Sequence, residues 1–158
     1  MKRFVFCCFV LGLLLSAAAA QPIVFIVRHA EKADATPDTD LSAAGRDRAE
    51  TLAKALRDAN ITAIYATEFK RTQQTAAPLA KALGISPTNI PAKDVATLTA
   101  KLRPSTGTSL VVGHGDTIPG LIKALGVSEP MNIAENDYDN LLIVILAEKP
   151  RLIRLHYR

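Results

Sequence analysis

Short apolar runs rich in β-branched residues alternate along the chain with alanine-rich amphipathic stretches, and two of these runs stop abruptly at a histidine. The alternation predicts an α/β domain of three layers, α/β/α, around a mainly parallel central sheet. The two histidines then fall just beyond the carboxyl ends of buried strands, where open α/β sheets bind their ligands. A length of 158 residues suits one such domain.

The first 20 residues stand apart, since 16 of them are apolar and the others are Lys2, Arg3, Gly12 and Ser16. Lys2 and Arg3 form a basic start, Phe4 to Leu15 an apolar stretch, and Ala18-Ala19-Ala20 a small-residue cleavage site. Together these read as a signal peptide over residues 1–20, cleaved after Ala20, and an exported domain, periplasmic or secreted, over residues 21–158. The apolar stretch is short for a retained helix crossing ~30 Å of hydrocarbon. Both cysteines, Cys7 and Cys8, lie inside it. The mature domain is therefore expected to have no thiol nucleophile, disulfide or thiolate metal site.

Pro22 to Val27 reads as the first strand, buried on both faces, delivering Arg28 and His29 to one sheet edge. Ala30 to Asp40 is a polar loop with Pro37 that closes at a helix N-cap, Ser42. A helix follows from Ala43 to about Ala59, burying Ala49, Leu52, Ala53 and Leu56. Ile61 to Ala66 is the second strand, and Lys70 to Leu83 the second helix, stopped by Gly84. Ile85 to Pro91 is irregular or a short strand, and Val95 to Leu102 a short helix. Ser109 to Val112 is a buried strand broken by Gly113-His114-Gly115, with a helix from Ile118 to about Leu125. An acidic loop from Glu129 to Asp139 precedes strands at Leu141 to Leu146 and Leu152 to Tyr157, joined by a turn at Glu148-Lys149-Pro150.

Without Lys2 and Arg3 the 19 basic residues fall to 17 against 15 acidic, a net charge of +2. That balance, with Phe25, Tyr65, Phe69, Tyr138 and Tyr157 scattered rather than clustered, argues against a nucleic-acid partner. It equally gives no basis for an anionic membrane surface, and no stable membrane insertion is expected after cleavage.

Arg28, His29, Arg71 and His114 form the candidate site. Two guanidinium forks match phosphate oxygens, and two imidazoles offer one nucleophile and one donor, a set suited to a dianionic phosphoryl group. His29 attacks phosphorus through one ring nitrogen if a backbone carbonyl holds the other. An alkoxide leaves poorly without a proton, so a carboxylic acid is needed beside it. Asp116, two residues past His114, is preferred; it also fits the N-cap of the helix starting near Ile118. Glu31, two past His29, is the other candidate, whether as acid, as a partner orienting His29, through water near the phosphate, or simply as a solvated charge like Lys32. A zinc site of His29, His114 and a carboxylate is a weaker alternative. His156 reads as structural or exposed, and the acids Glu135, Asp137 and Asp139 lack EF-hand spacing.

Taken together, these residues resemble a known family. Val27-Arg28-His29-Ala30-Glu31-Lys32 is similar to the first histidine signature of the histidine phosphatase superfamily, the phosphoglycerate mutase-like proteins. Leu41-Ser42-Ala43-Ala44-Gly45 resembles its next element, Thr67 to Ala76 its arginine block, and Val111-Val112-Gly113-His114-Gly115 its second histidine block. The blocks follow the family's order over about Ile23 to Leu125. The resemblance implies a phosphoglycerate mutase-like fold, a phosphorylated His29, a phosphate pocket of Arg28, Arg71 and His114, and no metal or organic cofactor. Three departures stand out: Ala30 replaces the usual glycine, the mutase glutamate has Asp94 as its nearest acid, and Gly115 separates His114 from Asp116. No insertion long enough for a cap domain is present, as in small, open members such as protein-phosphohistidine phosphatases. The expectation is an exported phosphohydrolase acting on a phosphorylated small molecule or envelope glycan. The alternative is a catalytically silent phosphate-ester-binding protein of the same fold.

Overall fold

The computed structural model describes residues 21–158, so the expected signal peptide lies outside the described residues. In chain order the elements are β1 (Ile23–Arg28), α1 (Ala43–Leu56), β2 (Ile61–Ala66), α2 (Lys70–Leu83), β3 (Thr88–Asn89), α3 (Val95–Leu102), β4 (Thr108–Gly113), α4 (Ile118–Ala124), β5 (Asn140–Ile145) and β6 (Arg151–His156). The six strands form one sheet in the order β3-β2-β4-β1-β5-β6. β3, β2, β4 and β1 run parallel, whereas β5 and β6 pair antiparallel at the other edge. The sheet is thus mainly parallel, as the alternation of patterns predicts. The antiparallel end follows from the short turn joining β5 to β6, too short for a crossover.

Strand period two divides the core between the faces. Leu110, Val112 and Leu141 point toward α1 and α2, meeting Leu52, Leu56 and Leu79. Val24, Ile26, Val111, Leu142 and Val144 point the other way, onto α3 and α4 through Leu102, Ile118, Leu121 and Ile122. Each leucine fully removed from water in these layers contributes ~1.5–3 kcal/mol.

Local chemistry explains the boundaries. Ser42 caps α1, its hydroxyl accepting from the Gly45 amide at 3.0 Å, and Ala49, Leu52, Ala53 and Leu56 are buried as their spacing requires. α1 ends at Leu56, a turn before the expected Ala59, because the chain turns back through Asn60 at φ 53° into β2. Gly84 ends α2 in the left-handed conformation, φ 66°, donating to the Ala80 and Lys81 carbonyls. Of the irregular stretch from Ile85 to Pro91 only Thr88–Asn89 is strand.

Candidate active site

The site is built by the register of two neighbouring parallel strands. Arg28 at the end of β1 lies opposite Gly113 at the end of β4, and the His29 amide donates to the Gly113 carbonyl at 2.9 Å. The residues immediately after each strand therefore meet, and the His29 and His114 rings stand 5.4 Å apart, edge to face. Both histidines are buried. α2 brings Arg71 to the same place from its first turn, and Thr75 one turn later fixes the distance between helix and strand: its hydroxyl accepts from the Ala30 amide at 2.9 Å and donates to the Arg71 carbonyl at 2.7 Å.

His29 Nδ1 lies 2.8 Å from the Ala30 carbonyl. A carbonyl only accepts, so the proton sits on Nδ1 and Nε2 keeps its lone pair. Burial pushes the His29 pKa from 6.5 down to about 4, against the Ala30 hydrogen bond, with His114, Arg71 and Arg28 adding repulsion. His114 is likewise lowered to about 4, by burial and then by Arg71. Both rings are neutral at neutral pH, the form a nucleophile needs.

The arginines are held but not saturated. Arg28 Nη1 donates to the Ala134 carbonyl at 2.9 Å and to the Glu135 carbonyl, and its guanidinium lies 4.4 Å from the centre of the Tyr138 ring. Arg71 donates through Nη1 to the Pro37 carbonyl at 2.7 Å and stacks over Phe69 at 4.3 Å. In both, Nε is buried and has no hydrogen-bond partner among the described residues. A buried donor without an acceptor costs about 1–3 kcal/mol. The two guanidinium side chains line one pocket with His29 and His114, an arrangement of donors that can hold an anion.

The structure brings Arg28, His29, Arg71, His114 and Asp116 to one pocket, with Gly115, Asn132, Ile133 and Glu135 completing its walls. Asp116 is exposed at the mouth. It is not the cap of α4: Thr117 holds that position, without a side-chain bond, and the His114 carbonyl accepts from the Thr117 and Ile118 amides at 3.2 and 3.0 Å. Glu31 is not brought to the pocket. Its carboxylate is forked onto Arg48 at 2.7–3.0 Å and lines a different hollow with Asp47 and Asp139, so it does not orient His29. Asp94 caps α3, accepting from the Thr97 amide at 2.9 Å, and does not line the pocket.

Among the described residues, the three candidate ligands close enough to share a metal ion are Asp137, Asp139 and His156, away from the histidine pair. Arg154 and Arg158 already pair with these carboxylates, and His156 Nδ1 lies 2.8 Å from Asp139. Sequence reasoning missed Thr67, Thr72 and Tyr138. The two threonines lie in the arginine block and form a hydrogen-bonded chain to His114. Tyr138 carries no local signal, because only the fold sets the loop after α4 against Arg28.

The family profile described as histidine phosphatase superfamily (branch 1) matches residues 24–94, which carry Arg28, His29 and Arg71. No curated protein sequence matches the chain. Among solved structures the chain is similar to the protein histidine phosphatase SixA complexed with tungstate, at 22% identity and a TM-score of 0.71 over 85% of this chain and 96% of that one. It is also similar to a phosphohistidine phosphatase SixA from Agrobacterium tumefaciens, at 23% identity and a TM-score of 0.64 over 84% and 97% of the two chains. A mycobacterial glucosyl-3-phosphoglycerate phosphatase matches at 16% identity and a TM-score of 0.66, over 87% and 100%. The profile match over residues 24–94, the shared fold and the ordered signature blocks agree, and over these residues the chain resembles the histidine phosphatase superfamily.

Proposed function

We propose that the mature domain is an exported phosphatase that hydrolyses phosphomonoesters through a phosphohistidine on His29. The observation that carries the proposal is the pairing of His29, its Nδ1 tied to the Ala30 carbonyl so that Nε2 keeps its lone pair, with the Arg28 and Arg71 side chains and His114 in one pocket. Nε2 attacks phosphorus in line and the ester P–O bond breaks. Arg28, Arg71 and His114 take up charge on the equatorial oxygens. Asp116 gives its proton to the departing alkoxide, then accepts one from the water that cleaves the P–N bond, returning His29 and releasing phosphate. Every step uses side chains of the pocket.

The pocket mouth is open, lined by Gly115, Asp116, Asn132, Ile133 and Glu135, which supports substrates larger than the phosphoryl group itself. With export, this makes a phosphorylated small molecule or an envelope glycan the substrate class. The comparison proteins are named for phosphohistidine and for glucosyl-3-phosphoglycerate, and both substrates suit a pocket that grips the phosphoryl group alone. One observation favours the alternative of a silent phosphate-ester-binding protein. Asp116 is exposed at the pocket mouth, and no side chain among the described residues holds it against a leaving oxygen.

The deciding experiment incubates the purified protein with an aryl phosphate, without added metal, followed by rapid quenching. An acid-labile, alkali-stable phosphoryl adduct on His29, absent from His29→Ala, is the expected result, with turnover of the variant down by ~10³-fold or more. Phosphate binding with neither adduct nor turnover would establish the silent alternative.

A further inference from the structure

A chain of hydroxyls behind His114 decides which of its ring nitrogens faces the phosphoryl group. Thr72, fully buried in the first turn of α2, has its Oγ1 2.7 Å from the Phe69 carbonyl. A carbonyl only accepts, so the single Thr72 hydroxyl proton is directed there. Thr72 Oγ1 then accepts from Thr67, 2.9 Å away. With its own proton so placed, Thr67 Oγ1 meets His114 Nε2 at 3.0 Å as an acceptor, and the ring carries its proton on Nε2. Arg71 Nη2, which only donates, lies 3.4 Å from Nδ1 on the other side of the ring, consistent with a lone pair there.

We propose that Thr67, backed by Thr72, is a positioning residue that turns the unprotonated Nδ1 of His114 toward the phosphoryl group and holds Nε2–H when the ring becomes charged. A bound phosphoryl dianion presents only acceptor oxygens, so contact with Nδ1 requires a proton, taken up there from solvent. The imidazolium then donates on both sides, from Nδ1 to a phosphoryl oxygen and from Nε2 to Thr67. Without the Thr67 acceptor, a charged ring only 7% exposed would carry an unsatisfied N–H. The groups that face this ring are Arg71 from α2, Arg28 and His29 from the end of β1, Asp116 from the turn after β4, and Glu68 from the turn after β2. The arginines oppose charging and the carboxylates favour it. The arriving dianion decides the balance.

The role in turnover rests on the phosphatase reading, whereas the protonation pattern does not. The test combines nitrogen-15 NMR of the histidine rings, with and without inorganic phosphate, with phosphate-binding and aryl phosphatase assays on the wild type, Thr67→Val, Thr67→Ser and Thr72→Val. The wild type is expected to show His114 neutral with Nε2–H when free and doubly protonated with phosphate. Thr67→Val should bind phosphate about tenfold or more weakly and lose the second proton, and Thr67→Ser should restore both. Thr72→Val releases the Thr67 proton toward Nε2 and should shift the ring toward the Nδ1–H form. An Nδ1–H ring in the free wild type, or wild-type affinity and protonation in Thr67→Val, overturns the proposal. If Thr67→Val does not fold, the wild-type ring signals and Thr72→Val decide it. Correct protonation and phosphate binding without any turnover would support this assignment while failing the phosphatase reading.

Discussion

The two histidines make the site sensitive to acid in a direction set by their burial. In the unfolded chain each ring protonates near 6.5, whereas in the folded protein both remain neutral to about 4. Between these values the unfolded state binds more protons, so stability is lost as pH falls through 6.5 toward 4, and this contribution levels off below 4. Melting temperature should fall across that window, with a shallower slope in His29→Asn. Equal slopes in the two proteins would contradict the burial of His29 as the cause. At the pocket mouth, Asp116→Asn should lower kcat strongly for alkyl phosphates, by ~10²-fold or more, and much less for aryl phosphates, whose leaving groups depart unprotonated. Equal losses on the two substrates would remove Asp116 from the proton-donor role. Glu31 belongs to a different account. Its fork with Arg48 holds its carboxyl below the ordinary value in spite of partial burial, and that contribution, present above about 4.5, disappears as pH falls further.

At the scale of elements, the pocket depends on how closely the loop after β1 can approach α1. Gly45, in the first turn of α1, lies directly against the Glu31 backbone, leaving no room for a Cβ. The Ser42 amide donates to the Glu31 carbonyl at 2.9 Å, and Lys32 bridges to Leu41, so loop and helix cannot separate without losing these bonds. Gly45→Ala should therefore cost about 2 kcal/mol or more, read as a drop in denaturation midpoint at unchanged slope. Turnover should fall as well, since Ala30 leads directly from His29 into this contact. A variant as stable as the wild type would show that the loop has freedom the packing does not suggest. The bounds of β2 (Ile61–Ala66) and α2 (Lys70–Leu83) were legible from sequence because residues with local preferences of their own flank them, such as Gly84 at the end of α2. The end of α1 was less legible, because Arg57 and Asp58 tolerate helix and the turn at Asn60 is imposed by the path into β2.

At the scale of the whole molecule, three layers hold four groups from distant parts of the chain around one pocket. β1 and β4 supply the histidines, α2 supplies Arg71, and the loop before β5 braces Arg28 through Ala134, Glu135 and Tyr138. The pocket is assembled from protein charges, and the histidine pair is not joined by a carboxylate at metal-ligand distance among the described residues. Turnover measured after EDTA treatment and gel filtration should equal that of the untreated protein. A loss restored by zinc would revive the metal-dependent alternative. Within this frame His29 and His114 were readable from sequence, because each follows an unmistakable buried strand and a parallel α/β sheet gathers such positions at one edge.

The sequence by itself determined the layer architecture and nearly all the elements, and it singled out Arg28, His29, Arg71 and His114 as a candidate set that the fold brings to one pocket. Hydrophobic period, caps and strand ends are local properties that do not wait for the chain to pack. Only the tertiary structure decided the fates of the carboxylates and the identity of the supporting residues. Glu31 is claimed by Arg48, Asp94 by the start of α3, and Asp116 alone of the three reaches the pocket. Thr67 and Tyr138 acquire their roles because packing places a hydroxyl behind one ring and an aromatic face beneath one guanidinium. A charged or hydroxyl side chain has many acceptable partners, and which one it takes is settled by distances that exist only after the sheet has brought the chain's separate parts together.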